Sequence, residues 1–302
     1  MAMKKVVVGG AGFIGSTLAK ALLEAGHEVH VVDNLSGGKR EHIPAGAIFH
    51  EMDMNDTEAL TKVFTGAEHV FHLAALPRVQ YSIEHPIETN RANIDGTLSV
   101  LVAAKDAGVK KVIYSASSSA YGNQDTMPLV ESMPAHPISP YGLHKYVGEL
   151  YCRLFSEVYT VPTVSLRYFN VYGPGASAEG AYALVIAKFF KQRLEGVPMT
   201  ITGDGTQTRD YTHVRDVVRA NILASESANV GKGEVINIGA GNNASVNKIA
   251  ELIGGPVEHI APRLEPHDTL ADNSLAKKLL DWVPQVTLEE GIAELKKLSN
   301  LT

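Results

Sequence analysis

At 302 residues, 45% of them hydrophobic, the chain can bury a large core as one large domain or two intimately joined ones. Its formal net charge of −6 is spread without long acidic or basic blocks, which excludes an extended nucleic-acid surface. A single cysteine, Cys152, excludes an intrachain disulfide framework, and the twelve histidines lack metal-ligand spacing, so no structural metal is expected.

Taken in chain order, the predicted elements alternate. The strand "KVVVGG" is followed by the helical pattern "STLAKALLEAG", the strands "HEVHVVD", "AIFHEMD" and "HVFHLAA", the helix "TLSVLVAAKDAG" and the strand "KVIYSAS". This is the beat of a parallel sheet with crossover helices, an α/β, Rossmann-type doubly wound sheet. Gly26 and Gly108 stand where helices end before the next strand. From about Tyr172 turn residues crowd in, predicting a smaller, loop-rich α+β second lobe, while "VINIGAG" reads as a strand returning to the first sheet. The expected division is a Rossmann domain over 1–171 with a return segment about 212–240, interleaved with a lobe formed by 172–211 and 241–302. No segment has the apolar length of a membrane helix. The composition is that of a cytoplasmic protein.

Gly9, Gly12 and Gly15 lie directly after an apolar strand and before a helical pattern, the context of a dinucleotide fingerprint. Tight turning and close pyrophosphate approach both exclude side chains, and phosphate then meets free N–H groups at a helix N-terminus. Asp33 ends the second strand, where a carboxylate accepts hydrogen bonds from a ribose 2′-hydroxyl and repels a 2′-phosphate. The pattern predicts NAD rather than NADP. Asp53 is either an adenine contact or an exposed strand-terminal acid.

The stretch "SPYGLHKYVGELYCRLFSEVY" predicts a helix capped by Ser139 with Pro140 at its first position. Tyr141 and Lys145 then share one face, and a cation near a phenol favours the phenolate, so the pair is expected to supply a general base. The bland alternative is a surface pair one turn apart. Just upstream, Ser117, Ser118 and Ser119 end a strand at the carboxyl edge of the sheet. Ser117 is the first choice for a catalytic hydroxyl, with loop or capping roles open for all three.

With "GGAGFIG", "DNLSGG", "HLAA", "YSASSSAYG", "YGLHK" and "RYFNVYGP" in this order, nearly the whole chain resembles the extended short-chain dehydrogenase/reductase family. Within it the likeness is to UDP-sugar 4-epimerases. The resemblance implies Tyr141 as base, Lys145 as its partner and Ser117 as the hydroxyl that holds the sugar oxygen. It implies cofactor contacts from Gly9, Gly12, Phe13, Ile14, Gly15, Asp33, Asn34, Gly37, Asp53, Met54, Leu73, Ala74, Ala75, Asn93 and Tyr168, together with Tyr141 and Lys145. Substrate contacts are implied at Ser117, Ser118, Tyr141, Asn170, Val185, Arg209, Tyr211, Arg263 and Thr269. Two of these keep simpler alternatives: a salt bridge from Arg209 to Asp210 or Asp216, and a polar place on an exposed helix face for Asn93.

The chain departs from the family pattern where many relatives carry a lysine, having Pro77 and then Arg78. The segment "RLEPHDTLAD" is one residue short and lacks a glycine. The acid that dehydratases and decarboxylases carry before Tyr-Gly is absent; Ser119 stands there. The resemblance therefore implies interconversion of UDP-glucose and UDP-galactose through a 4-keto sugar. The small Thr269 extends this to UDP-GlcNAc and UDP-GalNAc. The alternatives are a UDP-glucuronate 4-epimerase, which Arg78 keeps open, and a non-catalytic NAD-sensing protein on the same fold. The apolar helices around "IDGTLSVLVAAKDAG" and "YVGELYCRLFSEVY" imply a homodimer.

Overall fold

The computed structural model describes residues 2–178, 184–261 and 268–301. Seven strands form one parallel sheet: β1 (Lys4–Val8), β2 (Glu28–Asp33), β3 (Ile48–Glu51), β4 (His69–His72), β5 (Lys111–Ser117), β6 (Thr163–Tyr168) and, much later in the chain, β9 (Glu234–Ile238). Their order is β3-β2-β1-β4-β5-β6-β9. The winding reverses between β1 and β4, and in open α/β sheets ligands bind at such a switch, beyond the carboxyl ends of the strands.

Period-two side-chain alternation builds a core on each face of this sheet. Val7, Val29, Val31, Phe71, Ile113, Val164 and Leu166 pack on one face with helix α1 (Phe13–Glu24) and a later helix, α8 (Val214–Glu226). Val6, Val8, Val32, Val70, Val112 and Tyr114 pack on the other with α2 (Thr57–Phe64), α5 (Gly96–Asp106) and α6 (Pro140–Tyr159). Two short helices, α3 (Val79–Glu84) and α4 (Pro86–Asn90), connect β4 to α5 through a π-helical turn, Arg91–Asp95. Gly26 and Gly108 do follow helices in left-handed geometry, with φ of 82° and 69°.

A third core, with Phe189, Met199, Ile201, Tyr211, Ile249 and Ile253, lies outside the main sheet. It gathers α7 (Val185–Leu194), β7 (Met199–Thr202), β8 (Thr208–Asp210), β10 (Asn243–Ser245), α9 (Val246–Ile253), β11 (Val257–Ile260) and α11 (Leu288–Leu298). Here β7 pairs with β11 and β8 with β10. Helix α10 (Ser274–Leu280) instead packs against β9 and α8. The return of "VINIGAG" is seen directly: β9 runs parallel to β6, Tyr168 opposite Ile238.

Candidate active site

The glycine turn lies at the switch point. Gly9 has φ of +87°, and a Cβ there would stand 2.5 Å from the Ala74 amide nitrogen; one at Gly15 would stand 2.1 Å from the Gly9 carbonyl oxygen. Neither position tolerates a side chain without moving backbone. The amides of Leu73 and Ala74 both donate to the Val8 carbonyl, so the loop after β4 is pinned beside this turn. Helix α1 starts at Gly12 with no side-chain cap and no acid in its first turn, leaving its first N–H groups, at Phe13 and Ile14, for an anion.

Asp33 closes β2 as expected. Its carboxylate accepts from the amides of Ala11 (3.0 Å) and Leu35 (2.8 Å), which orient it beside the turn with acceptor capacity left for a ribose. The following loop also lies against the turn, with Lys39 N–H donating to the Ala11 carbonyl. The residue that approaches is Gly38, where a Cβ would meet Ala11 at 2.7 Å; nothing lies within 4 Å of one at Gly37. Asn34 caps its own loop by accepting from Ser36. These residues, with the glycines, form a cradle that fits a dinucleotide.

Other cofactor candidates are placed differently. β3 ends at Glu51, so Asp53 lies beyond the strand and is exposed, accepting from the Asn55 backbone and side chain. Met54 packs under Gly96, where a Cβ would come 2.7 Å from Met54 Cε. Asn93 is buried, not on an exposed face. Its amide clamps both main-chain groups of Leu76 and donates to His144 Nδ1 (3.3 Å), tying the β4 loop, which also carries Ala75, to α6. Tyr168 sits in the core with its hydroxyl donated to Asn221 Oδ1 (2.9 Å).

Ser139 and Pro140 start α6 as the sequence suggested, Ser139 Oγ accepting from Gly142 N–H. This end of the helix is anchored by Ser82, a buried residue of α3 that accepts from Tyr141 N–H at 3.0 Å. Sequence reasoning missed Ser82, because only the tertiary fold brings it to α6. Ser117 ends β5, accepts from Ser119 N–H, and lies close enough to the Tyr141 phenol to favour its ionised form. That contact separates Ser117 from Ser118 and Ser119, which lie in the 3₁₀ turn beyond it.

Lys145 is buried; its Nζ donates to the Ser115 carbonyl at 2.6 Å and lies 5.0 Å from the Tyr114 ring centre. Burial lowers it to about 8, and pushes Tyr141 up to about 12, opposed only by Ser117. The expected lowering of the phenol by Lys145 is thus not seen: the ammonium is bound to a carbonyl, and desolvation of the phenol dominates. His72 is driven down to about 3 by burial and by Lys145, and stays neutral.

A second cluster gathers beyond β6. Asn170, with φ of +27°, donates its amide to the Asp210 carbonyl (3.0 Å) and to Thr269 Oγ1 (3.4 Å). Arg209 and Tyr211 flank Asp210, and Arg209 Nη1 donates to the Thr208 carbonyl. Asp210 and Asp216 direct their carboxylates to backbone amides, with Arg219 also on Asp216, so the salt-bridge alternative for Arg209 is not what these acids do. Tyr211 packs edge-on to Tyr172. Val185 opens α7 and is half-buried, and Arg263 lies outside the described residues. A cleft of about 840 Å³ behind α6, lined by Glu131, Glu149 and Arg167, contains none of these candidates. Among the described residues no group of acidic, histidine and cysteine side chains is arranged to hold a metal, and no helix is long and apolar enough to cross a membrane.

A glycine cradle at the switch of a doubly wound sheet, with serine, tyrosine and lysine at its carboxyl edge, defines an extended short-chain dehydrogenase/reductase fold built for a nicotinamide dinucleotide. Residues 5–239 match the NAD dependent epimerase/dehydratase family, and the chain belongs to that family, whose cofactor is NAD. Three solved structures are similar over almost their whole length. UDP-glucose 4-epimerase from Thermotoga maritima with UDP-glucose is 41% identical, with TM-score 0.92, covering 98% of this chain and 99% of that one. UDP-N-acetylglucosamine 4-epimerase from Methanobrevibacter ruminantium, in complex with UDP-N-acetylmuramic acid, is 36% identical, with TM-score 0.92 and the same coverage. UDP-glucuronic acid 4-epimerase from Bacillus cereus, with UDP-glucuronic acid and NAD, is 34% identical, with TM-score 0.88, covering 98% and 100%.

Proposed function

We propose that this chain is an NAD-dependent UDP-sugar 4-epimerase that interconverts UDP-glucose and UDP-galactose. The observation that carries the reading is that Ser117 at the end of β5, Tyr141 in the first turn of α6 and the buried Lys145 one turn on are gathered at the sheet edge next to the glycine cradle. A purely NAD-sensing protein has no use for that set.

In this reading Gly9, Gly12 and Gly15 admit the pyrophosphate, and Asp33 selects NAD by accepting from the adenosine ribose. Bound NAD supplies reversible oxidation at the sugar C4. Tyr141 takes the proton of the 4-hydroxyl and later returns it to the same oxygen once the configuration at C4 has been inverted, and Ser117 holds that oxygen during both transfers. Lys145, held at the Ser115 carbonyl, orients the nicotinamide ribose. Between the two transfers the 4-keto sugar rotates in the site. Asn170, Arg209 and Tyr211 hold the UDP diphosphate, a task suited to an arginine fork. The strands around the switch serve the cofactor and the third core serves the substrate.

The small Thr269, hydrogen-bonded to Asn170, leaves room for an acetamido group, so N-acetylated sugars are included in the reading. Arg78 stands just before α3, the helix whose Ser82 anchors Tyr141, and this position favours UDP-glucuronate as the second choice of substrate. The enzyme works as a homodimer in the cytoplasm. Its interface is the apolar face of α5 and α6, where Leu150, Leu154 and Val158 are 37%, 43% and 60% exposed beside the half-buried Leu98 and Val102.

The test is to incubate the purified protein separately with UDP-galactose, UDP-N-acetylgalactosamine and UDP-galacturonate and follow the anomeric protons by NMR. Conversion of UDP-galactose to UDP-glucose is expected. No conversion of any of the three, with NAD supplied, contradicts the epimerase reading.

A further inference from the structure

Asp210 stands between Arg209 and Tyr211 at the end of β8, but its carboxylate is fully buried and serves other segments. One oxygen accepts from Ala240 N–H at 2.7 Å, and the other from Gly241 and Ala271 N–H, both at 3.0 Å. These amides come from the turn after β9 and from the stretch that precedes α10, 30 and 61 residues away. Close approach depends on Gly239, where a Cβ would stand 2.9 Å from the carboxylate and 2.3 Å from Ala271 Cβ.

The main chain of Asp210 is used as well. Its carbonyl accepts from Asn170 Nδ2, and its N–H donates to Thr269 Oγ1 at 3.4 Å. One residue therefore joins the chain after β6, strand β8, the turn after β9 and the segment 268–271. β8 is only three residues long and pairs with three-residue β10, too little to fix its own position. Three backbone donors on one carboxylate are charge-assisted bonds and form a firm tie.

We propose that Asp210 is a positioning residue for the nucleotide-diphosphate end of the substrate: it holds Arg209 and Tyr211 in register with Asn170 and Thr269. This rests on the substrate reading above. Asp210 touches no reacting atom in this role. Removing the tie displaces the binding groups while leaving the Ser117–Tyr141–Lys145 set and the glycine cradle in place.

The test is Asp210→Asn, which keeps the shape but turns an amide NH₂ toward N–H donors. The measurements are UDP affinity by calorimetry, KM and kcat for UDP-galactose, NAD content and thermal midpoint. A rise of about tenfold or more in UDP Kd and in KM is expected, tenfold corresponding to about 1.4 kcal/mol. NAD content should be unchanged and saturated kcat little altered. Gly239→Ala, which keeps the carboxylate and crowds it, carries the same expectation and serves if the first variant does not fold. Unchanged UDP affinity in a folded variant overturns the proposal, as does parallel loss of kcat, NAD and thermal stability with KM unaltered. A wild-type protein that binds UDP but converts no UDP-sugar tells against the epimerase reading alone, and the UDP comparison still decides the role of Asp210.

Discussion

Burial holds the Tyr141 phenol up at about 12 and brings the Lys145 ammonium down to about 8, and neither group is a cause of the other's shift. The base is the phenolate, so kcat/KM is predicted to keep rising with pH toward the tyrosine's value, while Lys145 loses its charge through about 8. Lys145→Met should remove any inflection of the profile near pH 8; an inflection there that survives the substitution contradicts its assignment to the lysine. Tyr141→Phe removes the proton carrier and is expected to lower kcat by about 10²–10⁴-fold while NAD content stays unchanged, which absorbance of the purified protein checks. The placing of Tyr141 and Lys145 one turn apart on α6, and of Ser117 at the end of β5, was legible from helical spacing and from the apolar run before the serines. Their titration was not, since it depends on how deeply α6 buries them and on Lys145 finding the Ser115 carbonyl. Asn93 shows the same limit: a polar residue in a helix looks solvent-facing until its partner, the Leu76 main chain, is known.

Among the elements, the strand–turn–helix unit at the start of the chain is the proposed seat of the dinucleotide. Gly15→Ala must move either the Gly9 carbonyl or the start of α1. It is predicted to cost NAD binding about tenfold or more, measured by calorimetry on protein stripped of cofactor. Wild-type affinity in that variant contradicts the cradle. The glycine spacing and the terminal Asp33 were readable because period and turn chemistry are local. The Gly37–Gly38 loop was readable only as a loop, because which glycine meets Ala11 depends on tertiary approach, and the end of β3 fell short of Asp53 because strand pairing stops at Glu51.

Across the molecule as a whole, one buried ion pair joins α6 to β6: Arg167 donates twice to Glu149, at 2.8 and 2.7 Å. Glu149→Ala leaves the guanidinium buried without its partner and is predicted to destabilise the fold by about 3–5 kcal/mol, read by denaturant unfolding; a cost near zero contradicts this role. On the outer side of the same helix, Leu154→Glu is expected to convert a dimer to monomers in analytical ultracentrifugation, and an unchanged sedimentation coefficient would dismiss this face as the interface. The sheet and its returning strand were legible from the alternation of apolar runs. The third core was visible only as a change of texture, because β7, β8, β10 and β11 are three or four residues long and lack a clear period.

In the proposed mechanism the sugar is inverted by oxidation and re-reduction at C4, without exchange with solvent. UDP-galactose deuterated at C4, incubated with the protein in ordinary water, tests this by NMR of the product. UDP-glucose that keeps the deuterium at C4 is expected. UDP-glucose carrying a solvent proton at C4 would mean that inversion proceeds by proton loss from carbon, and would contradict the roles assigned to NAD and Tyr141.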